Sequence, residues 1–293
     1  YLNQGLTMNL SMEAFYQLKW APTVVDNCGT FFGGDVAAKG CVDRLVVDGV
    51  DMPQGTQPDN TYIARERKDV DARDDGQWGV AFRYFAPQLN DTEFGFFAMN
   101  YHSRTPYYSS VAGNVLLPGG TARAIGAQLE QAIADGADAT IIGGLQAALQ
   151  QQLDAISPVM GYSGGVGAAG YFFEYPEDIR LYGVSFQTDV AGASVAGEVS
   201  YRPNMPLQIN TGDMSRTALQ IGPDSTHRDL FGLETGAEIQ GYERKEFWQA
   251  QVSAVQFIDR VMGASRLALV GEVGANWIGG LGTGDGTTKF GRD

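Results

Sequence analysis

Long stretches of alternating apolar and polar residues are the feature that most restricts the fold of this chain. Between Met8 and Leu18 every even-numbered residue is apolar, whereas the odd-numbered residues are polar except Phe15. Side chains of a strand alternate between its two faces, so the pattern predicts a strand with one apolar and one polar face. An ordinary strand has only about 5–6 residues, and a much longer one needs something for its apolar face to contact.

Further segments of this kind follow along the chain, and their connections indicate how they are arranged. With the first strand at 7–19, the predicted strands are residues 77–86, 93–103, 179–188, 193–202, 247–258 and 266–278. Short turns rich in Asp, Asn, Gly or Pro (87–91, 189–192 and 259–264) alternate with long connections (20–75, 104–177 and 203–240). Antiparallel neighbours then have all short turns at one end and all long loops at the other. Bacterial outer-membrane barrels have this asymmetry, and soluble sandwiches rarely do.

Aromatic residues lie near the ends of the predicted strands. At the long-loop end they are Trp20, Trp78, Trp277, Tyr182, Tyr201 and Tyr242, and at the short-turn end Tyr84, Phe85, Phe94, Phe186 and Phe257. Amphipathic aromatic side chains collect at membrane–water interfaces, so two aromatic girdles are expected, with the apolar faces of the strands against lipid. The alternative is a soluble barrel with aromatic residues at its strand ends.

The strand residues that alternate with the apolar ones are mainly polar, and we expect them to face the barrel lumen. Its candidate lining residues are Glu13, Arg83, Glu198, Arg202, Gln249, Gln251, Glu272 and Asn276. Such side chains solvate a channel. Opposed Arg and Glu side chains equally suit ion pairs that bridge a narrow, filled interior.

Residues 121–156 differ from the rest of the chain because their apolar residues have helical spacing. Ile125 and Leu129 begin one stripe, Leu145 and Leu149 begin a second, and "DGAD" separates the two. The pattern predicts two amphipathic helices as an insert in a long extracellular loop. These four residues would line an apolar vestibule if the helices fold into the barrel mouth, and the alternative is a cap on the rim.

Cys28 and Cys41, the two cysteines of the chain, lie in one Gly- and Asp-rich segment. Such a segment is a poor place for buried free thiols, so we expect a disulfide, which would stabilise the fold by roughly 3 kcal/mol in the chain-entropy model. Two unrelated thiols are the alternative. A disulfide indicates the periplasm, the cell surface or the exterior. No metal site is expected, since His102 and His227 add too few ligands.

Other chemical signals in the sequence are weak. The net charge of -14 argues against a nucleic-acid partner. The acidic run of residues 69–75 departs from the calcium-loop pattern, which leaves a solvated acidic loop as the alternative to Ca²⁺ binding. His102 and Ser103 are adjacent on a strand and point to opposite faces, so they cannot pair as base and nucleophile. No catalytic residues, cofactor or enzyme activity are expected.

Several longer phrases carry a family resemblance. "MNLSMEAFYQLKWAPTVVDNCGTFF", "DARDDGQWGVAFRYFAP", "TEFGFFAMNYHSR", "YPEDIRLYGVSF", "GEVSYRPNMPLQINT" and "VMGASRLALVGEVG" resemble the DUF1302 family of proteobacterial proteins. That resemblance covers most of the chain outside the helical insert. It implies an outer-membrane β-barrel longer than this chain, so the remainder of the barrel is itself an expected partner. It also suggests movement of hydrophobic compounds and supplies no catalytic residues.

These observations lead to one expectation for the fold and two for the function. The fold is all-β: an antiparallel transmembrane outer-membrane β-barrel, of which residues 1–293 form a single partial domain of about seven strands with the helical insert. The expected function is a channel for small hydrophobic or amphipathic molecules in the outer membrane of a Gram-negative bacterium, in contact with the lipid bilayer and lipopolysaccharide. The alternative is a surface binding or structural protein, such as an adhesin, anchored by a filled barrel.

Overall fold

The structure, a computed structural model, defines thirteen strands and two longer helices in the part of the chain that it describes. That part comprises residues 1–31, 34–42, 44–46, 62–65, 67–113, 125–126, 128–160, 169–219, 233, 236–282 and 287–291, with the backbone alone for 62 and 152–160. The strands are β1 Leu2–Gly5, β2 Leu10–Gln17, β3 Arg44–Val46, β4 Tyr62–Ala64, β5 Gln77–Ala86, β6 Thr92–Tyr101, β7 Tyr107–Val111, β8 Gly170–Glu174, β9 Ile179–Val190, β10 Ala193–Gln208, β11 Glu238–Ile239, β12 Tyr242–Val261 and β13 Ala264–Ile278. The helices are α1 Ala139–Met160 and α2 Thr211–Ala218.

The larger sheet contains all seven strands predicted from the alternating segments. Its order is β1-β2-β5-β6-β9-β10-β12-β13, and every neighbouring pair is antiparallel. The prediction missed β1, whose sequence LNQG is short and carries little alternation. Two strands extend furthest beyond the predicted segments, since β10 has 16 residues where 193–202 was predicted and β12 has 20 where 247–258 was predicted.

The predicted all-β class is confirmed, and the larger sheet is open in the described residues. β1 and β13 are its two edges and are not hydrogen-bonded to each other. None of the described helices is both long enough and apolar enough to cross a membrane.

The short turns and the long connections lie at opposite ends of the larger sheet, as predicted. At the short-turn end the chain reverses through residues with positive φ, including Asn90, Ala191 and Met262. The long connections do more than link strands. They supply β3, β4, β7, β8 and β11, which form a second sheet in the order β11-β7-β8-β4-β3. We call this sheet, together with α2, the loop layer.

The main buried core belongs to the loop layer and not to the larger sheet. Tyr171 of β8 is fully buried, stacks on Tyr108 with ring centroids 5.5 Å apart and meets Phe173 edge-on. Met214 of α2 packs into the same cluster. The helix begins where the side chain of Asn210 accepts a hydrogen bond from the backbone N–H of Asp213, the expected geometry of a helix cap. The strands of this layer are short, so the alternation that identified the large sheet is absent from them.

Cys28 and Cys41 form a disulfide, which confirms the predicted pairing. Their Cα atoms are 5.3 Å apart, and the bond closes a turn within the first long connection. Nearby, the carboxylate of Asp35 accepts a hydrogen bond from the backbone N–H of Gly29.

Truncation of Met214 tests the core of the loop layer. The side chain is 0% exposed, so Met214→Ala leaves a cavity and should lower the free energy of unfolding by about 2–5 kcal/mol. Met262→Ala is the matched control, because that side chain is fully exposed in a short turn. Urea titration of both variants measures the difference, and equal stabilities would contradict the assignment of the core.

Candidate functional site

The strand register of the larger sheet collects apolar side chains into common rows on one face. One row crosses seven strands and consists of Met12, Phe82, Phe96, Val184, Val199, Ala250 and Ala275. The adjacent row toward the short-turn end contains Leu10, Tyr84, Phe94, Phe186, Gly197, Val252 and Val273. Many of these side chains are exposed, Val273 by 76%. We call this surface the apolar face.

Aromatic side chains form a row on the apolar face near its long-loop end. Tyr182, Tyr201, Trp248 and Trp277 lie side by side on four neighbouring strands. The rings of Tyr201 and Trp248 stack with their centroids 4.2 Å apart. Trp78 belongs to the next row outward. At the short-turn end, Tyr84, Phe94 and Phe186 share a single row.

Four of the aromatic residues expected in the girdles lie elsewhere. Trp20 is buried, packs edge-on against Tyr175, and donates its indole N–H to the carbonyl of Ser103. Tyr242 packs against Tyr107 of the loop layer. The other two, Phe85 and Phe257, have the parity of the opposite face. The parity of Phe85 and Phe257 in the sequence already assigns them to the opposite face, whereas the contacts of Trp20 and Tyr242 are visible only in the tertiary structure.

The opposite face carries every residue proposed from the sequence to line a lumen. Arg83, Glu198 and Gln251 lie in one row, and Glu13, Gln249 and Asn276 lie in the next. Arg202 and Glu272 have the same parity, opposite Phe247 and Ser253 respectively. We call this surface the polar face. Its amides and charges of both signs suit contact with water.

The polar face is not uniformly polar, because aromatic rings lie flat on it where the neighbouring strand has glycine. A Cβ at Gly183 would lie 2.1 Å from the ring of Phe97, and one at Gly79 would lie 2.3 Å from the ring of Phe15. Glycine at these positions therefore makes room for a ring against the sheet. Arg83 forms an ion pair with Glu13 at 3.7 Å, and the guanidinium of Arg202 lies over the ring of Phe247.

The acidic run of residues 69–75 is used for structural contacts at the base of the loop layer. Asp69 forms an ion pair with Arg65 at 2.9 Å, and Asp71 forms one with Lys39 at 3.3 Å. Asp74 accepts a hydrogen bond from the backbone N–H of Trp20. Within the described residues, no three His, Cys, Asp or Glu side chains are grouped so that they could hold a metal ion.

His102 is a buried connector between segments. Its Nδ1 accepts a hydrogen bond from the backbone N–H of Asp178 at 3.0 Å, so the proton lies on Nε2, which donates to the carbonyl of Asp75 at 2.7 Å. Ser103 donates its hydroxyl to the carbonyl of Thr105. Both ring nitrogens of His102 are thus used to hold loops at the end of the larger sheet, and neither is directed at Ser103.

The comparison with protein families identifies the relatives of this chain. The sequence model of DUF1302, described as a protein of unknown function, matches residues 1–292. The chain belongs to the DUF1302 family. No curated protein matches it, and no solved structure does. The resemblance drawn from the quoted phrases is therefore confirmed over essentially the whole chain of this DUF1302 protein.

The helical insert of the DUF1302 chain is helical where it is described. Residues 128–134 and α1 carry the predicted stripes, and Leu129, Leu145 and Leu149 are half-buried, as is Ile125 just before them. The described residues of α1 have no extensive contact with either sheet. Whether these stripes line a vestibule therefore stays a prediction.

Sequence reasoning missed Arg180, the basic residue of β9 on the apolar face. The register pairs it with Asn100 in the row just beyond Tyr182. Among the described residues its guanidinium has no hydrogen bond, ion pair or aromatic partner. The signal was available in "IRLYGVSF", where Arg180 has the parity of Tyr182, Val184 and Phe186.

Protonation of Asp178 tests the ion-pair cluster beside β9. Hydrogen bonds from Arg73, at 2.6 Å, and from the Asn100 amide hold the pKa of the Asp178 carboxyl below its ordinary value. The resulting stabilisation is present above the ordinary carboxyl pKa of about 4 and is lost as the pH falls through the lowered value. We expect Asp178→Asn to reduce the loss of stability in acid.

Urea titrations at several pH values below neutrality measure this effect. Asp91→Asn is the control, because Asp91 lies in a short turn and has no ion pair among the described residues. An unchanged acid dependence in Asp178→Asn would show that this carboxylate does not stabilise the junction.

Proposed function

We propose that the larger sheet is part of a transmembrane β-barrel in a bacterial outer membrane. The observation that carries this proposal is the exposed apolar face, which continues across seven strands in register. Soluble monomers rarely expose a continuous apolar patch of more than a few hundred Å². A bilayer covers such a face without further protein, and the polar face is then directed toward the lumen.

The dimensions of the apolar face support a membrane location. On β13 the face extends from Trp277 to Leu267, ten residues apart, which is about 33 Å along a strand. At the tilt of outer-membrane strands, such a length corresponds to an apolar band about 25 Å tall, the height found in these barrels. Aromatic rows near both ends of the face fit the expected interfacial girdles.

The two edge strands of the larger sheet, β1 and β13, are not paired with each other, so we propose that further strands close the barrel. A free edge in lipid leaves backbone N–H and C=O groups without partners, at several kcal/mol each. In this proposal further strands pair with β1 and β13, and the remainder of the barrel is the partner that supplies them.

We further propose that the barrel is a passive channel for small hydrophobic or amphipathic molecules. Glu13, Arg83, Glu198 and the other residues of the polar face would line its lumen. The net charge of -14 disfavours anionic solutes and leaves neutral ones preferred. The Cys28–Cys41 disulfide is consistent with the oxidising side of the outer membrane.

One observation favours a second function, that of a surface binding or structural protein anchored by the barrel. The loop layer has its own buried core, which a set of simple loops over a pore does not need. In this alternative the loop layer binds a partner and the side chains of the polar face fill the lumen, where Arg83 and Glu13 form an ion pair between neighbouring strands. Conductance distinguishes the two functions, because a filled barrel passes no current.

A pair of adjacent residues on β12 tests the assignment of the faces. Val252 lies on the apolar face and Gln251 on the polar face, and both are exposed. Near the middle of a bilayer, Val252→Arg should lower the stability of the inserted protein by about 2–4 kcal/mol, while Gln251→Arg should change it little. Refolding into lipid vesicles under urea titration measures both variants. Equal tolerance of the two arginines would reject the membrane topology.

Removal of the helical insert tests the channel. Deletion of residues 121–156 from the full-length protein should raise single-channel conductance, because in this proposal the apolar stripes of the insert narrow the entrance, and a connection of this length is usually functional or disordered. The double variant Leu145→Ser/Leu149→Ser probes the half-buried stripe without a deletion. Gln146→Ser/Ala147→Ser is its control, since both of those residues are exposed and neither has the spacing of the stripe.

The outcomes separate the two functions. Higher conductance in the deletion and in the half-buried double variant, with no change in the control, supports the channel and its vestibule. If the intact protein passes no current and the deletion does not change this, the channel proposal fails and the anchored binding protein is the better account.

A further inference from the structure

A groove crosses the apolar face close to its long-loop end. It has a volume of about 430 Å³ and is lined by side chains of β5, β6, β9, β10 and β12. The side of the groove toward the short turns is formed by Phe82, Phe96, Val184 and Val199. On the other side, Ala98 lies between the larger residues Val80 and Tyr182. Ala98 has the smallest side chain of these three residues, and the row that follows it on the same face, toward the long loops, contains Asn100 and Arg180.

This next row contains Arg180, a cation that has no side-chain partner among the described residues. Asn100 follows Ala98 on the same face of β6, and Arg180 is its register partner on β9. The amide of Asn100 is already used by the carbonyl of Gly76 and the carboxylate of Asp178. The neighbouring cation Arg73 is likewise neutralised by Glu177 and Asp178. No described residue neutralises Arg180, so it can bind an external anion. It lies two residues before Tyr182, a lining residue of the groove, and on the same face of β9.

We propose that this groove and Arg180 bind a lipopolysaccharide molecule, with an acyl chain in the groove and a phosphate on the guanidinium. The inference rests on the proposed membrane location, in which the long-loop end lies in the outer leaflet, where lipopolysaccharide is the phosphate-bearing lipid. The groove lies on the face that would contact the bilayer, so its occupant enters from the leaflet and not from the lumen. Arginine binds phosphate through two parallel hydrogen bonds, and the aromatic row beside it suits the interface.

Two substitutions separate the parts of the site. Arg180→Gln removes the charge and keeps a polar side chain, while Ala98→Phe fills the opening of the groove. Arg266→Gln is the control for charge, because Arg266 lies at the short-turn end and pairs with Asp259. Ala275→Phe is the control for size, because Ala275 lies on the same apolar face outside the groove.

The experiment uses the full-length protein in phosphatidylcholine nanodiscs that contain a small fraction of lipid A. Native mass spectrometry then measures the lipid A retained by each variant. We expect Arg180→Gln and Ala98→Phe each to reduce retention roughly tenfold, the effect of losing one charge-assisted hydrogen bond or an equivalent apolar contact, and both controls to match the wild type. Lipid A without phosphates should bind the wild type as weakly as Arg180→Gln binds intact lipid A. Free inorganic phosphate should not compete, because it lacks the acyl chain.

The results distinguish this site from the membrane proposal. If the wild-type protein inserts into nanodiscs and every variant retains as much lipid A as the wild type does, the lipid site is rejected and the membrane location stands. If dephosphorylated and intact lipid A bind the wild type equally, the role of Arg180 is rejected. If the wild type does not insert at all, the membrane location fails and the lipid site fails with it.

Discussion

The hydrogen-bonded register of the larger sheet is the constraint on which the remaining structure depends. Eight antiparallel strands are paired in continuous register, and side chains alternate between faces with a period of two residues. A slip of one residue in any strand would exchange its apolar and polar faces. The register of β10 against β12 shifts between Arg202 and Met205, where both strands continue beyond the predicted segments. Elsewhere this pairing keeps the two faces chemically distinct.

The two layers of the protein are stabilised differently. The loop layer contains Tyr171, Ile63, Met214 and Ile239 as fully buried side chains, so it has the apolar core of a small soluble domain. The larger sheet exposes its apolar side chains instead, and the stability of its apolar face depends on what contacts that face. For this reason the proposed function depends on what covers the apolar face and not on a catalytic group.

Polar residues that looked chemically active in the sequence connect these two layers. At the base of the loop layer, Asp69 forms an ion pair with Arg65, and Asp74 accepts a hydrogen bond from the backbone of Trp20. Both ring nitrogens of His102 form hydrogen bonds with backbone groups there. Buried polar groups need such partners, because an unpaired one costs about as much as a lost hydrogen bond. Arg180 is different: it lies on the apolar face, and no described residue neutralises it.

The sequence by itself determined seven of the eight strands of the larger sheet, the division of their residues between two faces, and the pairing of Cys28 with Cys41. Periodicity and spacing are local properties, and each strand displays them without reference to its neighbours. Only the tertiary structure decided that the long connections build a second sheet and that Trp20 is buried. It also decided that Ala98 and Tyr182 line a groove and that Arg180 lies in the next row on the same face. These features arise where distant segments meet, since β4, β7 and β11 come from three different connections and are too short to show a period of their own.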